Sequence, residues 1–442
     1  MRRIVPLLFA CVLFFSLGCP ALAGSYENEP PIRSDIAVLY ESNSGTLIFS
    51  KNGTKRAYPA STTKIMTALL AIENCQMDEP VTATRSALNT VTPGSSIAGL
   101  QNGEVLSMYE MLECLLVASG NDAAAVIAAH VGGSVDRFVE MMNERSEELG
   151  CQDTNYMNPS GLHHEEHYTT AEDLLLVAEE AMKHPVFREI VAMRQVAIEP
   201  TNKVSKTRYF NNTNQLISSA STSVNLYSKA IGIKTGHTTP AGYCLVSAAA
   251  DKDREYIAVV LAGYIDEKNY RNYSYVDSIN LFLWGFSDFA QRTVVSSSDL
   301  VTELPVELAK GKDFVILRAA QDVTAYLHKT DEIDDIFRKV VTVQENIAAP
   351  VRAGDILGAL TVMKGNEVYA RVDLVAMNDV ERSEGLYYFE AMGNFFAHPG
   401  VRAGIALLAS ALIVYLVFWV LYNKRRRAIR ARKRRRGIDD EF

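Results

Sequence analysis

Ser61 and Lys64 stand three residues apart in Tyr58-Pro59-Ala60-Ser61-Thr62-Thr63-Lys64, an interval that puts two side chains on one face of a helix. Pro59 stops whatever precedes it, hydroxyl residues crowd the start where backbone N–H groups lack partners, and Ile65, Leu69 and Ile72 follow at helical spacing. A serine hydroxyl is a poor nucleophile near neutral pH unless a base takes its proton. A lysine serves as that base only when burial, a neighbouring positive charge or the positive end of a helix dipole pulls its pKa down. Taken alone, such a pair is far more often a helix cap followed by a surface lysine. It is, however, the only S-x-x-K in the chain, and two further elements follow it in order: Ser119-Gly120-Asn121 and Lys234-Thr235-Gly236. Ser-x-Asn also occurs at Ser223-Val224-Asn225 and Ser278-Ile279-Asn280. Only the first follows a long apolar stretch, Met108 to Val117, and precedes a small-residue run, Asp122 to Ala129. Lys-Thr-Gly occurs once and heads a strand-like run.

S-x-x-K, Ser-x-Asn and K-T-G together mark the serine β-lactamases and penicillin-binding proteins. Further stretches narrow this: Gly94-Ser95-Ser96 through Gly99-Leu100, Asn158-Pro159-Ser160-Gly161-Leu162, Tyr168 to Leu174, Asn212-Thr213-Asn214-Gln215-Leu216 and Gly232 to Thr238. Through them the chain resembles the D-alanyl-D-alanine carboxypeptidases, the low-molecular-weight penicillin-binding proteins, over about residues 30–290 and more loosely to about 380. The resemblance implies an α/β fold, a transpeptidase-like sheet packed by helices. It implies removal of the terminal D-alanine from peptidoglycan stem pentapeptides through an acyl-enzyme, with β-lactam antibiotics as covalent inhibitors. In that scheme Ser61 is the nucleophile and Lys64 its base; Ser119 relays a proton to the leaving amine, and Asn121 holds Lys64 and the substrate amide. Lys234 supplies positive field, Thr235 binds the substrate carboxylate, and Gly236 lets the strand approach the peptide. The backbone N–H groups of Ser61 and His237 form the oxyanion hole. No metal or organic cofactor enters. Three rivals remain: an endopeptidase cutting cross-links, a β-lactamase, and a non-catalytic wall-binding protein. The β-lactamase of class A needs a positioned glutamate and water for deacylation, whereas the stretch after Asn158 has the carboxypeptidase pattern. The wall-binding protein should lack a catalytic residue, and none is missing.

The elements that must position these residues follow from periodicity. Ile36 to Tyr40 and Thr46 to Phe49 form a hairpin around Ser42-Asn43-Ser44-Gly45. Helical patterns cover Val105 to Val117, Ala123 to His130, Val135 to Leu149 closed by Gly150, and Ala171 to Lys183, where Thr170 with Asp173 predicts a capping box. Strands return at Lys229 to Thr235, Gly242 to Ala250 and Tyr256 to Ala262, and an amphipathic helix at Tyr275 to Ala290 covers them. Strands from both ends around a helical insertion put the site at their junction. From about residue 292 short strand-like runs predict a small all-β domain.

Composition sets the remaining limits. The 442 residues, 48% hydrophobic, suffice for two domains. The formal charge of −8 is segregated: Lys424 to Phe442 holds ten Lys/Arg against three Asp/Glu, so the body is strongly acidic and unsuited to nucleic acid. Residues 1–23 read as a signal peptide, with Arg2 and Arg3, an apolar run from Ile4 to Leu17, and Ala21-Leu22-Ala23 before Gly24. A lipoprotein signal ending at Cys19 is the alternative. The expected plan is then a catalytic domain at 24–291, a β-rich stalk at 292–393, a transmembrane helix at 403–422 and a basic cytoplasmic tail at 423–442. A surface-lying helix is the alternative anchor, and anionic-lipid contact explains the basic tail more simply than nucleic acid does. Such an enzyme sits in a bacterial cell membrane with its catalytic domain outside. Cys75, Cys114, Cys151 and Cys244 lie in apolar contexts and are expected as buried free thiols, with disulfides left open. His163, His164 and His167 follow Gly161 in a polar loop and are expected to be solvated rather than zinc ligands.

Overall fold

A computed structural model describes residues 26–218 and 224–435; the leader reading at 1–23 and the last residues of the basic tail lie outside them. The chain divides into two compact units, one running to Gln291 with Tyr326–Lys329 added, the other holding Arg292–Ala325 and Thr330 onward.

In the first unit a five-stranded antiparallel sheet runs in the order Thr46–Lys51, Ile36–Glu41, Arg254–Gly263, Gly242–Asp251, Ala230–Thr238. Its inner strands are apolar on both faces, as a sheet covered on both sides requires. One face packs Leu39, Leu245, Tyr256 and Val260 against Leu281, Phe282 and Trp284 of the Tyr273–Asp288 helix. The other faces the larger core, which gathers Val38, Val246, Val259 and Leu261 with Leu69, Leu115, Ile127 and Leu174 of the helical part. Lys64–Asn74 is the buried helix at the centre of that part, surrounded by Met108–Leu116, Asn121–Gly132, Val135–Glu148 and Ala171–Met182. Ala230–Thr238 is an edge strand of the sheet, and it passes beside the turn that carries Ser61.

The second unit holds a five-stranded antiparallel sheet in the order Leu300–Pro305, Phe314–Ala319, Glu367–Ala376, Ile356–Lys364, Phe337–Val343. Its strands end at Ala376. A helix, Glu384–Ala397, follows, then a long helix, Pro399–Arg435, long and apolar enough to cross a membrane.

Candidate active site

Ser61 sits in a single 3₁₀ turn, Ala60–Thr63, and the α-helix begins only at Lys64. The reason is local. Ala60 has φ +49°, a left-handed conformation that alanine adopts only under constraint. Its carbonyl lies against Gly161, where a Cβ would come within 1.8 Å of the Ala60 oxygen. Gly236 presses on the same turn from the edge strand, its would-be Cβ 2.9 Å from the Ser61 nitrogen. The backbone around Ser61 is thus held between two glycines, each placed where no side chain fits.

Lys64 is wholly buried, and its Nζ lies 2.8 Å from Ser61 Oγ, 2.7 Å from Asn121 Oδ1 and 2.8 Å from the Ser160 carbonyl. Burial pulls its pKa well below the ordinary lysine value; the Lys234 charge pushes the same way, and the Asp122 carboxylate opposes both. Lys234, also buried, donates to the Thr235 carbonyl at 3.0 Å, and burial draws it down to about 7. Two ammonium groups in one dry site disfavour double protonation, so the pair titrates as a unit.

Ser119 and Asn121 arrive from a turn between two helices. Ser119 has φ +58°, and the next N–H groups are tied down: Gly120 to the Cys114 carbonyl at 2.9 Å and Asn121 to the Ser96 carbonyl at 2.8 Å. Asp122 anchors the turn by accepting the N–H groups of Ala98 and Leu100 at 2.8 and 2.9 Å, which accounts for the Gly94 to Leu100 stretch singled out in the sequence. Ser61, Ser119, Thr235, Gly236 and His237 line one cleft of about 740 Å³, while Lys64, Asn121 and Lys234 are buried behind it. All eight expected site residues therefore belong to one place.

The cleft has other walls, one of them from the Asn212 to Leu216 stretch singled out in the sequence. Thr213 Oγ1 meets Thr235 Oγ1 at 2.7 Å, and Tyr275 donates its hydroxyl to the Thr213 carbonyl at 3.2 Å. Asn269 to Asn272, including Arg271, close the far side.

Two expectations need correction. His163 and His164 are exposed, but His167 is only 2% exposed. Burial, with the two neighbouring histidines adding to it, draws its pKa to about 3, so the ring is neutral. The polarity of the surrounding loop concealed this: the ring meets Met157 and Asn158 of the same region on one side and the distant Thr63 on the other. The four cysteines among the described residues are free; Cys114 and Cys244 are buried as expected, but Cys75 and Cys151 are only partly so. Sequence spacing also gave no sign that Cys75, Glu79 and His130 come together, their donor atoms within 4.8 Å of one another. There His130 Nε2 and Glu79 Oε1 are already paired at 2.6 Å.

A serine hydroxyl that lines a cleft and meets a wholly buried lysine, with a carboxamide on the lysine and the charge of a second lysine acting on it, is an arrangement suited to an acyl-transferring serine hydrolase. The chain belongs to the D-alanyl-D-alanine carboxypeptidase family, whose sequence profile matches residues 24–264. Residues 289–382 match the C-terminal domain of penicillin-binding protein 5. Among its relatives, the D-alanyl-D-alanine carboxypeptidase DacF of Bacillus subtilis is 30% identical over 392 residues, spanning 87% of this chain and 96% of its own. The crystal structure of penicillin binding protein 5 from Haemophilus influenzae aligns with a TM-score of 0.57 at 27% identity, covering 80% of this chain and 99% of that one. A Streptomyces DD-transpeptidase aligns with a TM-score of 0.53 at 30% identity, over 59% of this chain and 99% of its own. The protein is thus a serine carboxypeptidase of the penicillin-binding type, with the α/β fold expected of it and a C-terminal β domain.

Proposed function

We propose that this enzyme removes the terminal D-alanine of peptidoglycan stem pentapeptides through an ester on Ser61. The observation that carries the reading is the set of partners around Lys64 Nζ. Two of them, Asn121 Oδ1 and the Ser160 carbonyl, only accept hydrogen bonds, and the third is the Ser61 hydroxyl. A neutral amine has two N–H groups for the two acceptors and one lone pair, which then faces Ser61. A lysine kept neutral by burial and by Lys234 is therefore oriented as a base.

The steps follow from that orientation. Ser61 Oγ attacks the carbonyl carbon between the two D-alanines as its proton passes to Lys64. The oxyanion forms between the backbone N–H groups of Ser61 and His237. The C–N bond then breaks, Ser119 relays a proton to the departing amine, and free D-alanine leaves. Water hydrolyses the ester and restores Ser61. The substrate's terminal carboxylate lies against Thr235 with Lys234 behind it, and its charge favours the protonated form of Lys234. The outward backbone of the edge strand Ala230–Thr238 offers pairing to an extended peptide. β-Lactams acylate the same serine. All hydrogen-bonding partners of Lys64 are neutral, which supports a peptidase over an enzyme with a carboxylate base at this position.

The same reading assigns the rest of the chain. Residues 1–23 direct export, 24–291 catalyse, the β-rich segment after 292 acts as a spacer, and 403–422 span the membrane with the basic end inside the cell. The test is direct: the full chain in detergent should release D-alanine from a pentapeptide stem and be labelled by a fluorescent penicillin, and Ser61→Ala should do neither. Label persisting at another residue in Ser61→Ala would refute the assignment.

A further inference from the structure

The Ser160 carbonyl that meets Lys64 belongs to a loop, 157–162, with no regular secondary structure. Such a loop holds a catalytic hydrogen bond only if its own backbone groups are tied down. Asn158 does this from within. Its Oδ1 accepts the N–H groups of Ser160, Gly161 and Leu162 at 3.2, 2.8 and 3.1 Å, and its Nδ2 donates to the Leu162 carbonyl at 2.9 Å. The loop as a unit is then fastened by His167. His167 Nδ1 accepts the Met157 N–H at 3.3 Å and lies 3.3 Å from Asn158 Nδ2. With Nδ1 accepting, the ring proton is on Nε2, which lies 3.0 Å from Thr63 Oγ1 and donates to it. Thr63 is the residue before Lys64. The loop thus touches the catalytic turn at three points: the Ala60 carbonyl through Gly161, Thr63 through His167, and Lys64 through the Ser160 carbonyl.

We infer that His167 is a positioning residue for the acylation step: as a neutral imidazole bridging Met157 and Thr63, it sets where the Ser160 carbonyl meets Lys64 Nζ and so where the lysine lone pair points. This rests on the reading of Lys64 as base. His167 touches neither Ser61 nor Lys64 by hydrogen bond, so its influence passes through the Ser160 carbonyl and Thr63.

The consequence is a distinctive pH signature. A carbonyl accepting from Nζ favours the ammonium form. Withdrawing it leaves Lys64 facing Lys234 from the sheet and Asp122 from the Asn121 helix, and lowers its pKa further. The acid limb of acylation then moves to lower pH, while the plateau falls because the lone pair is no longer aimed. A purely structural role would leave the limb where it is.

The experiment measures penicillin acylation of the full chain against pH for wild type, His167→Gln, Thr63→Val and Thr63→Ser. Thr63→Val removes only the hydroxyl that Nε2–H meets, and Thr63→Ser restores it. For both His167→Gln and Thr63→Val we expect a plateau lowered roughly ten- to hundredfold, the cost of misaligning a reacting group. Their acid limb should lie below the wild-type pH, and Thr63→Ser should return both quantities towards wild type. Should His167→Gln fail to fold, Thr63→Val against Thr63→Ser decides alone. A limb at the wild-type pH in Thr63→Val, or a plateau unchanged, overturns the inference. Failure of wild type itself to be acylated on Ser61 would instead remove the functional reading beneath it.

Discussion

Lys64 and Lys234 share one dry site, and their coupling fixes the sign of several pH effects. The Lys234 charge holds Lys64 down. In Lys234→Met that push is gone, so Lys64 keeps its proton to higher pH and the rising limb of acylation should move upward. A penicillin acylation profile of the variant checks this; a limb at or below the wild-type position would refute the coupling. Stability follows by linkage. Both lysines have depressed folded values, so between about 7 and the ordinary 10.5 the unfolded chain binds more protons. Their contribution to stability therefore rises with pH through that window and falls away as pH drops. Urea denaturation of wild type should show this rise relative to a Lys64→Met, Lys234→Met double variant, in which the other titrating groups cancel. At this scale the sequence was highly legible, because Ser61, Lys64, Ser119, Asn121 and Lys234 are read from short spacings. His167 was not. Its Nε2 meets Thr63, 104 residues away, and no local pattern encodes that contact.

Among the elements, regular helices were readable and the irregular joints between them were not. The helix carrying Ser61 and Lys64 was expected from Ser61 onward, yet Ser61 to Thr63 belong to a 3₁₀ turn, with Gly161 and Gly236 close against Ala60 and the Ser61 backbone. Gly161→Ala should therefore lose both stability and acylation. Its φ of +81° adds strain of about 1–3 kcal/mol, and its Cβ would collide with the Ala60 carbonyl. Urea denaturation and penicillin labelling measure the two losses; labelling at the wild-type rate would show that the turn does not depend on this packing. The predicted capping box at Thr170 is half formed. Thr170 caps the Asp173 N–H at 3.0 Å, but the Asp173 carboxylate turns away to hold Gln152, Asp153 and Thr154. The complete box is Ser107 with Glu110, at the start of the helix that leads to Ser119. Ser107→Ala should cost about 1 kcal/mol in urea denaturation. Two two-stranded pairings, Pro80–Ala83 with Glu104–Ser107 and Gln195–Ile198 with Arg208–Asn211, escaped the sequence because strands of four residues carry too little alternation to read.

For the molecule as a whole, the C-terminal apolar helix fits a membrane anchor for the catalytic unit. Ala403 to Tyr422 reads as a span because about 20 apolar residues at about 1.5 Å each match a hydrocarbon core of roughly 30 Å, and it forms part of one helix long and apolar enough to cross a membrane. The helix before it, Glu384–Ala397, was hidden within the presumed stalk. Its Tyr388, Phe389, Met392, Phe395 and Phe396 are all exposed, and they recur on one side of the helix, opposite Glu390 and Asn394. Aromatic rings of this kind suit the headgroup level, next to a span. The apolar run Ala403 to Tyr422 has no Lys, Arg, Asp or Glu, and the charged residues of the helix before it, Glu384 and Glu390, are acidic; the basic residues lie beyond the run, from Lys424 onward. A surface-lying anchor held partly by basic residues would be released by high salt or carbonate. A spanning helix should resist both and yield only to detergent. Protease added to wall-stripped cells should then remove the catalytic unit and spare an epitope placed after Phe442, since the basic cluster from Lys424 onward favours the cytoplasmic side. Digestion of that epitope, or release by salt alone, would show that the helix lies on the membrane instead of crossing it.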